Sequence, residues 1–426
     1  MTRDADVVVV GDGLAGCAAA LAAARADPAA TVRVVAAGDS SLRAASGLVD
    51  VLGYGPDGSG PVTDPFIALG ELPPEHPYSV VGESALREGL ALFDEVTGDA
   101  YAGGHTDANA LVPTYGGSVK PTARYPAVVA PGLATRPEEM LVAGFERLAA
   151  FDAHLTADLL EMLDVPFPTT GVTVELPEAI TDTPAAPRFA AALDDNPDVH
   201  HRGEVRPLRA ALAEDLYELR GSQDRVGLPA VLGRTATADI VERLEARLSV
   251  PVFEIPMGPP SVPGQRLEAQ LQEALQAHGV HYHPDTRITD VRTDDGTVTA
   301  VVAGGEEPDH FAASGVVLAT GGLVGGGVGA DREAVREPVF DCHVAHPPDR
   351  YDWFEDEAFG DHRFARFGVD VDAACRPLTA NGSPEYANLH AAGAVLGGYD
   401  FAAEKSGAGV SLATGYVAGT RAVEDA

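Results

Sequence analysis

A glycine-rich turn near the start of the chain limits the fold more than any other feature. The β-branched run Val7–Val10 has the length of a buried parallel strand, and residues 14–26 are rich in helix formers. Glycines between such a strand and helix let the backbone approach a pyrophosphate and let the helix pack on the strand. The order of strand, turn and helix therefore predicts a Rossmann-like dinucleotide-binding fold. The residues expected at the cofactor are Gly11, Gly13, Leu14, Ala15 and Gly16.

The same segment has a second interpretation, because residues 14–17 also have the form of a lipoprotein cleavage box. Cys17 would then be a lipid anchor. A secretory leader needs a cationic start and an unbroken apolar core. Here Arg3 is offset by Asp4, and Asp12 interrupts the apolar run. The nucleotide-binding turn is favoured, and Cys17 is expected to be a small residue packed in the first helix.

The charge of the chain excludes several classes of partner. It has 64 acidic against 29 basic residues, a formal net charge of −35, and its only lysines are Lys120 and Lys405. Such a charge repels nucleic acid and anionic lipid. It is typical of a solvated acidic surface adapted to high salt, where screening shortens self-repulsion. We therefore expect a halophilic type of protein that does not bind nucleic acid.

Cysteine spacing and hydropathy exclude two further features. Cys17, Cys342 and Cys375 lie far apart without a CxxC spacing, so we expect no metal or iron–sulfur centre within this chain. Any such centre must belong to a partner. No stretch approaches the roughly 20 continuous apolar residues that span a bilayer. The chain is expected to be soluble.

Two more glycine-rich segments follow later in the chain. The predicted strand GVVLAT leads into Thr320, Gly321 and Gly322, and Ala392-Gly393 precedes a terminal helix that begins at Gly407-Ala408-Gly409. The start of such a helix directs free amides and the positive end of its dipole at whatever precedes it. An electron-rich ring carbonyl would be stabilised there. A helix at 265–277 and a hairpin around Asp295-Gly296 are also predicted.

The domain organisation follows from these segments and from the proline-broken middle of the chain, which has no fixed repeat. The three glycine-rich segments resemble the pattern of two-dinucleotide flavoproteins, and this resemblance implies an α/β fold class, a Rossmann-like FAD/NAD(P)-binding domain of that type with an inserted α+β cap domain. The flavin-binding domain is predicted at 1–58, 261–340 and 376–426. The cap is predicted at 59–260, with a return segment at 341–375.

One expected residue is absent at the second strand, predicted at residues 31–35. A dinucleotide fold usually ends this strand with an acid that binds a ribose hydroxyl. Ala36 and Ala37 stand there, and Asp39 lies a little beyond. Ser46 and Gly47 follow, and they are small enough for the backbone to lie against a flat ring. Both are predicted cofactor contacts.

The three glycine-rich segments, in this order, resemble the pattern of two-dinucleotide flavoproteins. Finer features resemble the B subunit of anaerobic glycerol-3-phosphate dehydrogenase from end to end of the chain. They are SSLRAASGLVDVLG, EHPYSV, IPMGPPSVPGQRLEAQLQ, REPVFD, RFGVDVDAACRP and AAGAVLGGYDFAAEKSGAGV.

The resemblance implies a flavoprotein subunit in a three-chain assembly. The A subunit would be an FAD-containing flavoprotein that oxidises sn-glycerol 3-phosphate to dihydroxyacetone phosphate. The C subunit would carry iron–sulfur clusters, reach the membrane and pass electrons to quinone. This chain would then be cytoplasmic and peripherally associated with the inner face of the membrane through its partners.

The identity of the flavin is left open between two assignments. The family is associated with FMN in this subunit, whereas the glycine fingerprint is typical of FAD. The absent ribose acid and Ala394, which follows Gly393 where many FAD proteins have an aspartate, both weaken the FAD assignment. Flavin itself performs the redox step, because it can accept a hydride and release single electrons.

Candidate catalytic residues are fewer and less specific. Arg266 and Arg336 are predicted phosphate clamps, because the guanidinium is planar, bidentate and permanently charged. Arg332, Lys120 and Arg124 also stand out, and each of these cations has the alternative of a surface ion pair in a very acidic protein. His76 is a predicted general base for the substrate hydroxyl, with a turn histidine as the alternative. His278, His281 and His283 are spaced poorly for a metal site.

Three functions stay open at this point. The chain could oxidise glycerol 3-phosphate itself, or it could be an electron-relay and assembly subunit without a substrate site. It could also be an unrelated flavin-dependent reductase, because a fold does not fix a function.

Overall fold

The structure is a computed structural model that describes residues 2–175, 185–305, 308–358 and 360–426. Its strands are β1 (Thr2–Val10), β2 (Val32–Val35), β3 (Tyr101–Ala102), β4 (Ala110–Pro113), β5 (Val119–Thr122), β6 (Tyr125–Pro126), β7 (Met140–Phe145), β8 (Thr169–Val174), β9 (Asp198–His201), β10 (Glu204–Pro207), β11 (Arg225–Pro229), β12 (Val252–Ile255), β13 (His281–His283), β14 (Ile288–Asp294), β15 (Thr297–Ala303), β16 (Asp309–Leu318), β17 (Gly329–Ala330), β18 (Val335–Arg336) and β19 (Leu389–Ala391). Its α-helices are α1 (Leu14–Ala26), α2 (Pro65–Ala68), α3 (Pro77–Thr97), α4 (Ala153–Met162), α5 (Ala186–Asp195), α6 (Leu208–Leu219), α7 (Thr237–Leu248), α8 (Val262–Ala277), α9 (Phe401–Glu404) and α10 (Gly407–Glu424).

The chain divides into two compact units. The first unit comprises Met1–Ser41, Asp50–Gly98 and Gln270–Ala426, and the second comprises Leu42–Val49 and Asp99–Ala269. The division differs from the predicted one in that residues 59–98 and 341–375 group with the first unit, whereas residues 42–49 and 261–269 group with the second. Residues 59–98 group with the first unit because α3 packs against α10.

The first unit is built on a seven-stranded sheet with the order β13-β2-β1-β16-β15-β14, and β19 pairs with β16. The strands β13, β2, β1, β16 and β19 are parallel to their neighbours, whereas β14 and β15 form an antiparallel extension. Val7, Val8 and Val9 are fully buried, as a central parallel strand requires. The carboxyl ends of β1, β16 and β19 therefore meet at one edge, where α/β sheets bind their ligands.

Two helices of small residues pack side by side in the first unit. A Cβ atom on Gly415 would lie 2.6 Å from the Ala15 carbonyl oxygen, and one on Gly419 would lie 2.0 Å from that of Ala19. This register makes α1 and α10 parallel. Because Gly415 lies level with Ala15, the first residue of α1 lies level with residue 414, and α10 begins seven residues earlier. At 1.5 Å per residue, α10 starts about 10 Å ahead of α1.

The second unit has its own four-stranded sheet, with the order β12-β11-β7-β8 and all pairs parallel. All six residues of β7 are buried in its hydrophobic core. Short antiparallel pairs, β3 with β6, β4 with β5 and β9 with β10, accompany this sheet. Among the helices of the described residues, none combines the length and hydropathy needed to cross a bilayer.

Candidate functional site

The turn after β1 depends on two glycines for its shape. Gly11 has φ +113°, and a Cβ there would lie 2.2 Å from the Ala319 carbonyl oxygen. A Cβ on Gly16 would lie 2.0 Å from the Gly11 carbonyl oxygen. A methyl group at either position would therefore collide with backbone that is held in the sheet. These two glycines let the strand, the turn and the helix approach each other.

Gly13 differs from its neighbours because the space beside it is open. A Cβ there would have only Ser41 Oγ within 4 Å, at 3.2 Å. Gly13 is the N-cap of α1, whose first turn has no acidic residue and, within the described residues, no side-chain cap. The first amides of α1 are thus available to an anion, as at other phosphate-binding helix ends. This cradle fits the phosphate of a flavin nucleotide.

The two other glycine-rich segments meet this turn. Gly393 has φ +79°, and a Cβ there would lie 2.6 Å from Ala15 Cβ. A Cβ on Gly322 would lie 2.5 Å from the Ala394 carbonyl oxygen. The Gly393 amide donates a hydrogen bond to Thr414 Oγ1 of α10 over 2.9 Å. Residues that are hundreds of positions apart in sequence therefore form one edge of the first unit.

Thr320 adds an unsatisfied polar atom to this edge. Its Oγ1 is buried, and it has no hydrogen-bond partner within the part of the chain that the structure describes. Buried hydroxyls are seldom left without a partner. The observation fits a polar group of a cofactor beside Thr320.

The ribose position fits an adenosine nucleotide less well. After β2 the chain has Ala36, which is buried, with its amide bonded to the His283 carbonyl and its carbonyl to the Thr286 amide. Ser40 is also buried, and its Oγ donates to the Asp12 carbonyl over 3.0 Å. No carboxylate therefore stands directly at the end of β2. The phosphate cradle fits a flavin, whereas the usual ribose contact is missing.

His76 lies in a buried polar cluster beside the start of α10. Its ring is fully buried, Nδ1 accepts from the Tyr78 amide over 3.1 Å, and Nε2 donates to Glu404 over 3.1 Å. Since Nδ1 is an acceptor, the proton lies on Nε2 and the ring is neutral. This geometry is that of the turn histidine named as the alternative. A role as general base would require both contacts to open, and it stays a prediction.

Glu404 is the centre of this cluster, and sequence reasoning overlooked it. The Ser406 hydroxyl donates to its carboxylate over 3.0 Å, and the Asp400 amide donates over 3.1 Å. Glu404 is 2% exposed. The only signal in the sequence is its position just before the glycines of α10, because its partner His76 is 328 residues away.

Two tyrosines enclose the cluster. The Tyr78 hydroxyl donates to the Val51 carbonyl over 2.7 Å, and burial raises the pKa of Tyr78 well above its ordinary value. The Tyr399 hydroxyl is buried without a hydrogen-bond partner among the described residues. Burial, and then the nearby Glu404 carboxylate, raise the pKa of Tyr399. A Cβ on Gly409 would lie 2.1 Å from the Tyr78 hydroxyl, so the start of α10 fits closely against Tyr78.

Arg266 belongs to the second unit and is engaged there. Its guanidinium makes a two-pronged ion pair with Glu254, at 2.7 and 2.8 Å, and Nε donates to the Gly233 carbonyl over 2.9 Å. Burial lowers the pKa of Arg266, but Glu254 more than offsets this and the pKa is raised. Arg266 is therefore engaged in an ion pair, as in the alternative interpretation, but the pair is largely buried and does not lie on the surface, where that interpretation expected it.

The remaining predicted residues lie in less enclosed positions. Arg336, in the first unit, has a side chain that is 61% exposed and lies 4.0 Å from Asp331. Ser46 and Gly47 belong to the second unit, where the Gly47 carbonyl accepts from the Tyr101 hydroxyl over 2.9 Å. Across the described ranges, no group of three or more His, Cys, Asp or Glu residues could hold a metal ion.

Comparisons with known proteins agree with the glycine-rich edge. The family model of the FAD binding domain matches residues 6–410. The chain is 52% identical to a probable B subunit of anaerobic glycerol-3-phosphate dehydrogenase from Halobacterium salinarum, over 100% of this chain and 99% of the relative. It is 32% identical to the B subunit of anaerobic glycerol-3-phosphate dehydrogenase from Yersinia pseudotuberculosis, over 96% of this chain and 95% of the relative.

Solved structures are similar at lower identity. A 3-ketosteroid-Δ4-(5α)-dehydrogenase from Rhodococcus jostii RHA1 has 15% identity and a TM-score of 0.43, covering 99% of this chain and 97% of that one. The open conformation of a flavocytochrome c3 fumarate reductase has 12% identity and a TM-score of 0.45, covering 99% of this chain and 78% of that one.

Proposed function

The chain belongs to the FAD binding domain family and to the family of anaerobic glycerol-3-phosphate dehydrogenase B subunits, and from this premise we propose that it is the flavin-carrying subunit of such a dehydrogenase. The observation that supports this most is the meeting of its three glycine-rich segments at the carboxyl edge of the first unit's sheet. The open amides of α1 beside Gly13 bind the flavin phosphate, and Thr320 contacts a polar group of the same molecule.

The bound flavin supplies acceptance of a hydride and onward transfer of single electrons. The family model is that of an FAD binding domain, which supports FAD. FMN is the alternative, and its support is Ala36 at the end of β2, where a carboxylate would bind the ribose of FAD. The mass of the flavin released by heating the purified protein tests this: FAD in the supernatant contradicts the FMN assignment but leaves the proposed function standing.

The proposed reaction is oxidation of sn-glycerol 3-phosphate to dihydroxyacetone phosphate. Electrons then pass through an iron–sulfur, membrane-anchoring C subunit to quinone, beside an FAD-containing A subunit. The chain would be held at the inner face of the membrane by these partners. Arg336 is the predicted phosphate clamp whose exposed side chain leaves it most accessible to substrate.

A second role has an observation in its favour. His76 and Arg266, two of the predicted catalytic residues, are both occupied by carboxylates of the chain itself. An electron-relay and assembly subunit needs neither of them for substrate. An unrelated flavin-dependent reductase is the third possibility.

A steady-state assay of the purified chain with glycerol 3-phosphate and an artificial dye separates these roles. Turnover supports direct oxidation of the substrate, and we expect Arg336→Gln to raise KM while leaving flavin content unchanged. If the chain shows no turnover of glycerol 3-phosphate but carries a flavin that dithionite can reduce, the result supports the relay role. A preparation that binds no flavin at all contradicts both, and failure to co-purify with an iron–sulfur subunit favours the reductase.

The chain is also proposed to be of a halophilic type. Its support is the net charge of −35 and the match to a Halobacterium relative. Screening of acidic self-repulsion by salt is the physical reason. We expect the unfolding temperature to rise with potassium chloride concentration well beyond physiological ionic strength.

A further inference from the structure

The two parallel helices of the first unit direct their positive ends the same way. A helix carries about half a positive charge at its N-terminus, and this charge acts within the first turn. Because α10 starts about 10 Å ahead of α1, a flavin whose phosphate lies at α1 has the α10 end further along the same direction. The helix ends thus offer successive positive regions to a ligand that begins at Gly13.

A buried carboxylate, that of Glu404, lies beside the positive N-terminal end of α10. Ser406 is the N-cap of α10, and its hydroxyl donates to Glu404 over 3.0 Å. Glu404 accepts three hydrogen bonds, from His76, Ser406 and the Asp400 amide, as an acceptor-only carboxylate does. The neutral His76 ring supplies a hydrogen bond and no positive charge.

The surroundings of the carboxylate keep its field from being screened. His76 and Ser406 are fully buried, and Tyr399 is 2% exposed. The Tyr399 hydroxyl lies in the same cluster, and it is buried without a hydrogen-bond partner among the described residues. Burial, and then Tyr399, Asp50 and Glu404, raise the pKa of Tyr78, so the Asp50 carboxylate also lies close to this cluster. Lys405, whose Nζ donates to the Ala402 carbonyl, is the nearest cation in sequence.

We propose that Glu404 is a fixed buried negative charge that opposes the α10 dipole and lowers the reduction potential of the bound flavin. Reduction adds electrons to the ring, and a buried anion nearby makes that addition less favourable. Glu404 would be a positioning residue that acts through the field at the start of α10, without contact with substrate. The inference rests on the proposed flavin site.

The test is a reductive titration of the purified flavoprotein against a reference dye. For Glu404→Gln we expect the equilibrium to shift about tenfold towards reduced flavin relative to the wild type. Glu404→Asp retains the charge, and it should stay close to the wild type. Glu337→Gln is the matched control, because Glu337 is also fully buried and accepts from three backbone amides, none of them near α10 in the chain.

Lys405→Gln is a second variant of opposite sign. It removes a positive charge one residue from Glu404, so the equilibrium should shift towards oxidised flavin by a smaller factor. If Glu404→Gln does not fold, this variant decides the matter.

The inference is overturned if Glu404→Gln binds flavin and the reduction potential of that flavin is unchanged. If Glu404→Gln does not fold, an unchanged potential in Lys405→Gln overturns it. Equal shifts in Glu404→Gln and Glu337→Gln overturn it as well. Wild-type protein that binds no flavin would instead refute the proposed function, so the two failures are distinguishable.

Discussion

The two compact units differ in the charged side chains that they bury, because the buried arginines Arg124, Arg209 and Arg225 all belong to the second unit. The first unit brings main chains together through glycine and alanine, as where α10 approaches α1 at Gly415 and Gly419. The second unit buries arginines beside its hydrophobic core, where they donate to carbonyl oxygens. The Arg225 guanidinium, 1% exposed, donates to the carbonyls of Pro131, Leu133, Arg136 and Glu138.

The difference concerns where polar groups remain free for a ligand. In the first unit the close approach leaves helix amides at Gly13 and the hydroxyls of Thr320 and Tyr399 without partners among the described residues. In the second unit the buried cations are bound by groups of the chain itself. Arg225 donates to carbonyl oxygens, and Arg266 forms an ion pair with Glu254. Buried Arg225 and Arg266 therefore stabilise the fold of the second unit and are not free to bind a substrate.

The most severe test of this comparison is Gly16→Ala. The new methyl would lie 2.0 Å from a carbonyl oxygen in the turn. Overpacking typically costs about 1 to 3 kcal/mol, and backbone that cannot move places this substitution at the upper end of that range. We expect loss of flavin and a marked fall in unfolding temperature, measured by circular dichroism and flavin fluorescence.

Two other glycines serve as controls. Gly70→Ala adds a methyl to open space and should change neither property. Gly13→Ala has only Ser41 Oγ at 3.2 Å, so it should keep the fold and weaken flavin binding. Equal losses in all three variants would mean that close approach is not what these glycines provide.

The corresponding test in the second unit is Arg225→Met. Methionine keeps much of the volume beside the Phe167 ring but removes the guanidinium donor from four carbonyls, of which only that of Leu133 accepts a second hydrogen bond among the described residues, from the Arg136 amide. We expect the free energy of unfolding to fall by about 2 to 3 kcal/mol, the cost of unsatisfied buried polar groups. Chemical denaturation would measure it, and flavin content should be preserved.

The matched control is Arg243→Gln on the exposed face of α7. Arg243 pairs with Asp239 over 2.9 Å on the surface, with a side chain that is 61% exposed. Such a pair contributes about 0.3 to 0.5 kcal/mol. A similar loss at both arginines would show that the buried ties of the second unit are no stronger than its surface pairs.

A smaller effect is expected from pH in the first unit. Burial, and then the neighbouring Arg33, lower the pKa of His283 below 6.5. The folded chain therefore takes up this proton later than the unfolded chain, and the stability from neutral His283 is lost as pH falls below 6.5. Chemical denaturation above and below this pH gives the change in the free energy of unfolding with pH. This change should be smaller in His283→Gln than in the wild type, by less than about 1 kcal/mol. If the pH dependence of stability is the same in His283→Gln and the wild type, His283 is not its source. His281→Gln is the control, because His281 is exposed on the same strand.

Local patterns predicted the first unit well because its signals are local. The helix expected at 14–26 is α1, and the predicted turn at Asp295-Gly296 joins β14 to β15. The cradle could be predicted too, since a glycine between strand and helix has few other uses. The convergence of Gly393 with Ala15 followed only from the order of the segments and the resemblance to a family.

The polar interior could not be predicted in the same way. Arg266 and Glu254 are near neighbours in sequence, but nothing local distinguishes a buried pair from a surface one. His76 and Glu404 are 328 residues apart. Burial decides what each of these groups does, and burial depends on the complete fold.

The seam between α1 and α10 has a consequence for how the molecule is made. Gly407 leaves the ribosome 393 residues after Leu14. At about 5 to 20 residues per second, the opening strand and turn wait roughly 20 to 80 s for the helix that covers them. During synthesis the alanine face of α1 has no partner until α10 has been made, so we expect the flavin site to form only after α10 emerges.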